Sequence, residues 1–429
     1  MEKKRFLFVS RVGLCTDLAW QAKKEGNEVR AYIQYDDDGI GGGFFEKISD
    51  WKESTGWADV IVFDDTLGFG KHAKRLRARG KLVFGGSPYT DKLEDDRAFG
   101  QDELKKHGVP ILSYKTFIDF DEAIGYVRKN PGPYVFKPSG LAANSKQLVF
   151  VSREEDGSDM IRVLETYKRV WSGKIRVFQL QKKVGGVEVA VGAFFNGERF
   201  VTPINVNFEH KKLFPGEVGP STGEMGTSMF WSSPNRLFNA TLKKFEGTLA
   251  ANKFVGYIDL NCIVNNYGIY PLEFTSRIGY PTIHIQQEGI LMPSGEFIYQ
   301  LASGNDFEIR TKKGFQVGVL LVVPPFPLED KRIFYRTSKD TTIVFKKGNG
   351  DGVHLGDVKL VNGEWIAAGY SGCVAVIVGS GQTMKQAQQQ VYGRMQNILI
   401  PNMYYRTDIG DRWSEDSDKL HNWGYLREL

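Results

Sequence analysis

Cysteine is scarce in this sequence of 429 residues, and the scarcity limits the possible classes of protein. The three cysteines, Cys15, Cys262 and Cys373, are odd in number and far apart. A disulfide framework is therefore not expected, and a reducing, cytoplasmic compartment is favoured. Long apolar runs are missing as well, because a run such as residues 317–323 is far too short to cross a bilayer as a helix. No membrane association is expected.

A secretion signal is not expected, and neither repeats nor blocks of like charge are visible in the sequence. The start, MEKKRFLFVS, begins with charged residues as a signal peptide does. Its apolar run, however, ends at Ser10 and Arg11 without a small-residue cleavage site. No repeat of fixed period is visible. The net charge of +5 is spread over the chain, and the many aromatic residues are not interleaved with basic ones. Direct nucleic-acid binding is therefore not predicted.

Enough apolar sequence is present for several packed units. Hydrophobic residues make up 41% of the chain and aromatic residues 13%, and the length exceeds that of one ordinary domain. Short apolar strands alternate with helical stretches up to about residue 98, which predicts a small doubly wound α/β domain. A strand-rich region follows, with hairpin signals at residues 130–133, 185–186 and 196–197. Beyond about residue 314, valine-rich strands and a glutamine-rich helix predict a β-rich C-terminal part.

Two carboxylates are expected to lie together on a hairpin. Strands over residues 257–264 and 269–274 place Asp259 and Glu273 on one face, because side chains alternate along strands and pair across them. Such a pair can hold Mg²⁺, which typically bridges carboxylates to substrate phosphates. Two solvated acidic residues are the commoner alternative. Arg277 favours the metal interpretation, since its guanidinium could bind the same phosphates with two hydrogen bonds.

Lys137 and a glycine-rich segment are further candidates for ligand binding. Lys137 ends an apolar strand directly before the small-residue loop 138–140, although no GK[ST] sequence follows, so this is not a Walker A motif. Residues 216–226 contain four glycines and are predicted to be a loop, either one that lets the backbone approach a ligand or an ordinary surface loop. His284 and His354 are assigned no role, because a single histidine without a visible partner is more often structural.

In their order along the chain, these pieces resemble the phosphoribosylamine–glycine ligase (glycinamide ribonucleotide synthetase) family of the ATP-grasp superfamily. The resemblance extends over almost the whole chain. Residues 219–226 and 405–410 are the segments most specific to that family, and the others suit ATP-grasp enzymes generally. The resembling segments are residues 18–20, 83–85, 93–99, 108–110, 135–143, 210–211, 219–226, 271–279 and 404–410.

The resemblance implies a fold and a reaction. The expected fold is α/β and α+β multidomain: a Rossmann-like N-terminal domain (1–98), a two-part ATP-grasp domain (99–315) and a C-terminal domain (316–429). The implied reaction is an ATP-dependent ligation through an acyl phosphate, releasing ADP and phosphate. Its substrates would be a small-molecule carboxylate, glycine or another amino acid, and an amine. The implied cofactors are ATP and Mg²⁺ or Mn²⁺, in a cytoplasmic monomer or homodimer.

Roles for individual residues follow from the same resemblance, position by position. Those placed around ATP are Arg97, Lys137, Gln179, Leu180, Gln181 and Glu188. Those placed around the metal ion are Asp259, Glu273 and Thr275. Those placed in substrate-binding segments are Gly13, Thr222, Gly223, Met225 and Gly226. Catalysis is assigned to Lys137 and to Arg277, which would stabilise charge on the transferred phosphoryl group or the acyl phosphate.

The chain departs from the family pattern mainly at substrate contacts. Residues 13–17 lack a charged Arg-Glu-His run, residues 64–68 and 279–282 are changed, Thr275 replaces an asparagine, and the phosphate loop at residues 144–147 has lost glycines. Three alternatives stay open. They are the purine-pathway ligase, a diverged ligase that joins an amino acid to another amine such as a modified nucleotide or base, and a non-catalytic nucleotide-binding scaffold. Retention of the cations and carboxylates argues against the scaffold.

Overall fold

The computed structural model of the chain describes residues 2–139, 148–347 and 350–426. The altered phosphate loop at residues 144–147, and Gly140 before it, lie outside the described residues. Within these ranges, none of the helices combines the length and the apolar character that crossing a bilayer requires.

A five-stranded parallel sheet with flanking helices forms the N-terminal part. Its elements are β1 (Arg5–Ser10), α1 (Thr16–Lys24), β2 (Glu28–Ile33), β3 (Glu46–Lys47), β4 (Val60–Phe63), α2 (Phe69–Arg77), β5 (Leu82–Phe84), α3 (Pro88–Asp95) and α4 (Arg97–Lys106). The strand order is β3-β2-β1-β4-β5, which is the predicted doubly wound arrangement. Asp96 ends α3 and caps α4, since its side chain accepts a hydrogen bond from the backbone N–H of Phe99. Arg97 therefore begins α4.

A smaller four-stranded sheet follows. Its elements are β6 (Tyr114–Phe117), α5 (Phe120–Lys129), β7 (Tyr134–Pro138), β8 (Phe150–Val151), α6 (Ser158–Trp171) and β9 (Phe178–Lys182). The strand order is β6-β9-β7-β8, and all neighbouring strands are antiparallel. Phe117, Phe136 and Phe178 form its aromatic core together with residues of the two helices. Because side chains alternate along β7, burying Tyr134 and Phe136 directs Lys137 to the opposite face.

An eight-stranded antiparallel sheet is the largest element of the fold. The remaining elements of the described chain are β10 (Val187–Asn196), β11 (Phe200–Phe214), β12 (Val218–Ser232), α7 (Arg236–Ala240), α8 (Glu246–Ala251), β13 (Val255–Asn265), β14 (Gly268–Thr275), α9 (Thr282–Gly289), α10 (Ser294–Ala302), β15 (Phe315–Val322), α11 (Lys331–Thr337), β16 (Val344–Phe345), β17 (Val353–Leu355), β18 (Val358–Val361), β19 (Glu364–Ala367), β20 (Cys373–Gly381), α12 (Met384–Met395), β21 (Ile398–Leu399) and α13 (Trp413–Asn422). The strands of the large sheet run in the order β14-β13-β10-β11-β12-β15-β20-β17. Strands β15, β20 and β17 continue the sheet of the middle region, so the sheet runs across the predicted limit at residue 315, and the domain limits stay a prediction.

Two expectations about local structure were wrong. Residues 216–226 are not a loop: they lie mostly in β12, which pairs with β11 in a long hairpin. Its turn is made by Gly216 and Glu217, both with positive φ, the conformation that tight hairpin turns require.

Of the three hairpin signals, only residues 196–197 connect paired strands, β10 and β11. Residues 185–186 connect strands of different sheets, and residues 130–133 connect α5 to β7.

One buried arginine fastens the C-terminal segment to this hairpin. Arg406 is 0% exposed. Its guanidinium donates to Asp408 at 2.7 Å, to Glu217 at 2.9 Å and to the carbonyl of Lys212 at 2.9 Å. The segment 405–410 therefore holds the far end of β11 and β12 in place.

A second buried polar contact joins three parts of the chain. Asp17 of α1 accepts a hydrogen bond from His354 of β17 at 2.8 Å, and His284 of α9 lies 4.0 Å from the same carboxylate oxygen. Burial alone would raise the pKa of Asp17, but His354 and His284 lower it to about 2. Burial lowers the pKa of His284 to about 4. At neutral pH the carboxylate is therefore ionised and the His284 imidazole is neutral.

The Arg406 contacts give a stability prediction. We expect Arg406→Met to lower the free energy of unfolding by about 3 kcal/mol, because it leaves the Asp408 and Glu217 carboxylates without their buried partner. Urea denaturation followed by tryptophan fluorescence measures the change. The matched control is Arg332→Met, whose side chain is 90% exposed. Equal unfolding curves for the two variants would contradict the assignment.

Candidate functional site

The candidate site lies between the four-stranded sheet and one face of the eight-stranded sheet. Lys137 on β7 is influenced electrostatically by Glu273 and Lys211 on the larger sheet, and by Arg97 of α4. Cations and carboxylates from three parts of the chain therefore share one cleft. Such a cleft suits a ligand that carries phosphate groups together with a bound metal ion.

Lys137 and Arg97 supply its positive side. The Lys137 ammonium donates to the amide oxygen of Gln181 at 2.7 Å. Burial and the neighbouring Arg97 lower the pKa of Lys137 to about 7. A buried cation with this pKa lacks sufficient negative charge around it, and a phosphate would supply that charge. The two cations that the resemblance assigns to phosphate binding are thus close together.

The predicted hinge residues lie on β9, beside Lys137. Gln179 pairs with Lys137 in the register of β7 and β9, and Gln181 pairs with Val135. The Gln179 amide oxygen and the Gln181 amide nitrogen are buried without a hydrogen-bond partner among the described residues. Leu180 alternates to the other face, where its side chain packs in the core of the small sheet. The two glutamines, but not the leucine side chain, thus face the cleft.

Lys211 organises the negative side of the cleft. Its ammonium lies 2.8 Å from Glu188, 3.1 Å from Glu209 and 3.8 Å from Glu273. Burial would lower its pKa, but these carboxylates raise it well above its usual value. Asn261 also donates to Glu188 and Glu209, at 3.1 Å each. Glu188, predicted to contact ribose, is therefore held on β10 by Lys211 and Asn261.

The carboxylate hairpin has the predicted geometry. In the register of β13 and β14, Asp259 faces Thr275 and Asn261 faces Glu273, so Asp259 and Glu273 lie diagonally on one face. Glu273 is 42% exposed in the cleft, whereas Asp259 is 3% exposed. Burial and the charges of Glu209 and Glu94 raise the pKa of Asp259 well above its usual value, and its Oδ1 has no hydrogen-bond partner among the described residues. A divalent cation fits this set of oxygen atoms, since it would satisfy that oxygen and offset the crowded negative charge.

Arg277 lies at the border with the N-terminal sheet and is already paired. Its Nε is 3.1 Å from Glu94 and 3.5 Å from Asp65, and its Nη1 donates to the Ile278 carbonyl. Burial would lower its pKa, but Glu94 and Asp65 raise it. Asp64, next to Asp65, is fully buried, and burial together with Asp65 raises its pKa to about 7. Arg277 thus lies on the acidic side of the cleft. Two residues of that side, Asp64 and Asp65, belong to the altered segment 64–68.

The predicted substrate-binding residues divide into two groups. Thr222 donates its hydroxyl to the Lys211 carbonyl, and Gly223 has open space where a side chain would point, so both lie beside the Lys211 cluster. Met225 is fully buried in a core cluster, and a Cβ at Gly226 would meet the Gly318 carbonyl at 2.6 Å. These two residues therefore serve the packing of β12.

Gly13, the fifth of these residues, lies apart from the other four. It has φ +89° at the turn before α1, where its N–H donates to the Ser10 hydroxyl. The turn needs a glycine for its conformation.

Three buried amides outside the charged cluster also lack hydrogen-bond partners. Asn207 on β11, Gln286 on α9 and Gln316 on β15 each have at least one side-chain atom without a hydrogen-bond partner among the described residues. Buried polar groups are nearly always hydrogen-bonded to protein, water or ligand. Ordered water or another polar group is therefore expected beside these three amides.

Four site residues were missed from the sequence: Glu94, Glu209, Lys211 and Asn261. A signal was present on β11, where Glu209 and Lys211 stand two positions apart in an otherwise buried strand and so share one face. Asn261 could have been found in the same way, two residues after Asp259. Glu94 gives no such signal, because its place opposite Arg277 depends on how α3 packs against β14.

Comparison with known proteins shows what this chain is similar to. Residues 95–282 match the family described as phosphoribosylglycinamide synthetase, ATP-grasp (A) domain. A phosphoribosylamine–glycine ligase of Halalkalibacterium halodurans is 25% identical over 352 residues, which are 79% of this chain and 78% of the relative.

Solved structures agree on the fold. The phosphoribosylamine–glycine ligase of Thermotoga maritima superposes with a TM-score of 0.68 at 22% identity, over 94% of this chain and 100% of that chain. The biotin carboxylase domain of 2-oxoglutarate carboxylase from Hydrogenobacter thermophilus, solved with MgADP, ADP and bicarbonate, superposes with a TM-score of 0.63 at 13% identity, over 99% of each chain. These matches confirm the expected α/β and α+β multidomain fold. The chain is an ATP-grasp carbon–nitrogen ligase related to phosphoribosylamine–glycine ligase.

Proposed function

We propose that this ligase uses ATP to join a small carboxylate, glycine or another amino acid, to an amine through an acyl phosphate. The observation that carries the proposal is the convergence of Lys137 and Arg97 with Glu273 and Asp259 in one cleft. That combination can hold a metal-bound polyphosphate between opposite charges. The solved biotin carboxylase domain with the same fold was bound to MgADP, which supports a nucleotide in this cleft.

In the proposed arrangement, ATP lies between the two sheets. Its phosphates contact Lys137 and Arg97, its base lies towards Gln179 and Gln181, and its ribose lies near Glu188. Residues 1–98, 99–315 and 316–429 act as the N-terminal, ATP-grasp and C-terminal domains. Glu273 and Asp259, with the hydroxyl of Thr275, are the proposed ligands of Mg²⁺ or Mn²⁺. When bound, that ion would offset negative charge on the phosphates.

The proposed reaction has two steps and requires no nucleophile from the protein. A substrate carboxylate oxygen attacks the γ-phosphorus, the bond to the bridging oxygen breaks, and ADP leaves. The amine nitrogen then attacks the acyl carbon, phosphate leaves, and the amide forms as the nitrogen loses a proton. Lys137 and Arg277 are proposed to stabilise the charge that develops, and positioning supplies most of the rate enhancement.

The amine is proposed to differ from phosphoribosylamine. Asp64, Asp65 and Glu94 surround Arg277 on the side where the chain departs from the family pattern, and the guanidinium is already paired with two of them. A phosphate brought to this position would have to compete with Asp65 and Glu94 for the guanidinium, and like charges at short distance are unfavourable. An amine without a phosphate near its nitrogen fits this charge distribution better.

The metal assignment predicts the effect of a charge-removing substitution. Loss of outer-shell partners alone costs metal sites about 10–100-fold in affinity or activity, so we expect Glu273→Gln to reduce ADP formation by at least about 100-fold. The thermal unfolding midpoint should stay close to that of the wild type, since the change removes charge and almost no volume. The exposed Glu198→Gln is the control. Wild-type rates in Glu273→Gln at saturating Mg²⁺ would rule out the assignment.

The pKa of Lys137 predicts how nucleotide affinity depends on pH. In the free protein this pKa is about 7, and a bound phosphate raises it, so binding above pH 7 takes up a proton. ATP affinity should therefore be highest between about pH 6, the pKa of the phosphate, and pH 7, and should fall by up to about tenfold per pH unit above pH 7.

Calorimetry in buffers of different ionisation enthalpy measures this proton uptake. Lys137→Gln should abolish it, whereas the exposed Lys71→Gln should keep it. Uptake that persists in Lys137→Gln would assign the proton to another group.

The amine assignment is tested by product analysis. ADP release and mass spectrometry are compared with ATP, Mg²⁺ and glycine plus either freshly generated phosphoribosylamine or phosphate-free primary amines. We expect an amide product with a phosphate-free amine. Asp65→Asn should shift the preference towards phosphoribosylamine, whereas the exposed Asp50→Asn should not. Formation of glycinamide ribonucleotide by the wild type would restore the purine-pathway assignment.

A further inference from the structure

We propose that Asp17, His284 and His354 form a binding site for a divalent transition metal ion of the zinc class. The three residues come from α1, α9 and β17 and are all buried. The site is separate from the proposed Mg²⁺ hairpin, none of whose ligands belongs to it. It does not depend on the proposed ligase reaction.

The distances suit one shared ion. Each residue can offer a ligand atom such that all three atoms lie within 4.8 Å of one another. Asp17 Oδ2 is 2.8 Å from His354 Nδ1 and 4.0 Å from His284 Nδ1. Ligand atoms of a tetrahedral zinc ion, each about 2.0–2.2 Å from it, lie about 3.3–3.6 Å from one another. Binding would therefore lengthen the Asp17–His354 distance and shorten the Asp17–His284 distance, each by less than about 1 Å.

Unsatisfied nitrogen atoms point to a missing ligand. His284 is 0% exposed, and neither of its ring nitrogens has a hydrogen-bond partner within 3.5 Å among the described residues. His354 differs, because its Nδ1 is hydrogen-bonded to Asp17 and only its Nε2, the nitrogen further from the carboxylate, lacks a described partner. A fully buried imidazole with two unpaired nitrogens is costly to desolvate, whereas coordination of an ion would satisfy one of them.

The donor set determines the class of ion. Two imidazoles and one carboxylate suit zinc and similar borderline metals, whereas Mg²⁺ prefers oxygen ligands alone. The Asp17 carboxylate is also held in place, because its Oδ1 accepts the backbone N–H of Leu355 at 2.9 Å and Gln21 donates to both of its oxygens at 3.3 Å, while Oδ2 lies towards the histidines. Such a second contact is usual for metal-binding carboxylates. The Tyr280 hydroxyl, buried without a described partner, lies next to the cluster, and its ring packs edge-on against His284 at 5.1 Å.

The ion would join three distant segments. Asp17 and His354 are 337 positions apart, and α9, which carries His284, begins five residues after Arg277. A bound ion would therefore fix α1, β17 and the segment that follows the carboxylate hairpin relative to one another. Its role would be structural, since all three ligands are buried away from solvent.

The test is the metal content of the full-length protein. The chain is expressed in zinc-supplemented medium, dialysed without chelator and analysed by inductively coupled plasma mass spectrometry. We expect about one zinc ion per chain. Asp17→Asn and His284→Ala should each lose it. The control His72→Ala, which removes a histidine outside the cluster, should keep it.

A second measurement needs no variant. Because a ligand that binds only the folded state raises the unfolding temperature, a strong chelator should lower the wild-type Tm and added zinc should restore it. Added Mg²⁺ should not. A wild-type protein that contains no zinc, and whose Tm responds to neither chelator nor zinc, would show that the cluster is only a hydrogen-bonded Asp–His contact. Equal zinc content in wild type, Asp17→Asn and His284→Ala would place any bound zinc elsewhere.

Discussion

The pairing of Lys211 with the carboxylates around it is the interaction on which the cleft depends. Glu188, Glu209 and Glu273 come from three different strands, and without a central cation their mutual repulsion would oppose the close packing of β10, β11 and β14. Asn261 adds neutral hydrogen bonds to two of them. Because Lys211 compensates these charges on the large sheet, Glu273 can face the cleft. Lys137, on the opposite sheet, has too few negative groups around it to balance its own charge. The separation of charge across the cleft follows from that arrangement.

Local patterns in the sequence were enough to predict the elements that depend on nearby residues. The turn at residues 265–268 fixes the register of β13 and β14, so the common face of Asp259 and Glu273 could be foreseen. Lys137 could be placed at the end of its strand for the same reason. The order of motifs predicted the family, and the N-terminal sheet followed from alternating strands and helices.

Contacts between remote segments could not be foreseen. Residues 216–226 looked like a loop because of their glycines, but Gly226 is needed where β12 passes close to β15, and the rest extends a strand of fifteen residues. The pairing of Arg277 with Glu94 joins positions 183 residues apart. The meeting of Asp17, His284 and His354 likewise depends on packing among three segments, which is why isolated histidines seemed to have no role.

The separation of the two sheets has a consequence for motion. The eight-stranded sheet continues from β10 to β20 through hydrogen-bonded neighbours, so it resists bending as one body. The four-stranded sheet shares no strand with it among the described residues, and its connections pass through Gly108 on one side and Gly185 with Gly186 on the other. Glycines offer the freest backbone rotation. Opening of the cleft for nucleotide exchange would then be a hinge rotation of residues 114–182. This rotation would move Lys137 away from Glu273 and weaken the attraction between their charges until the next nucleotide binds.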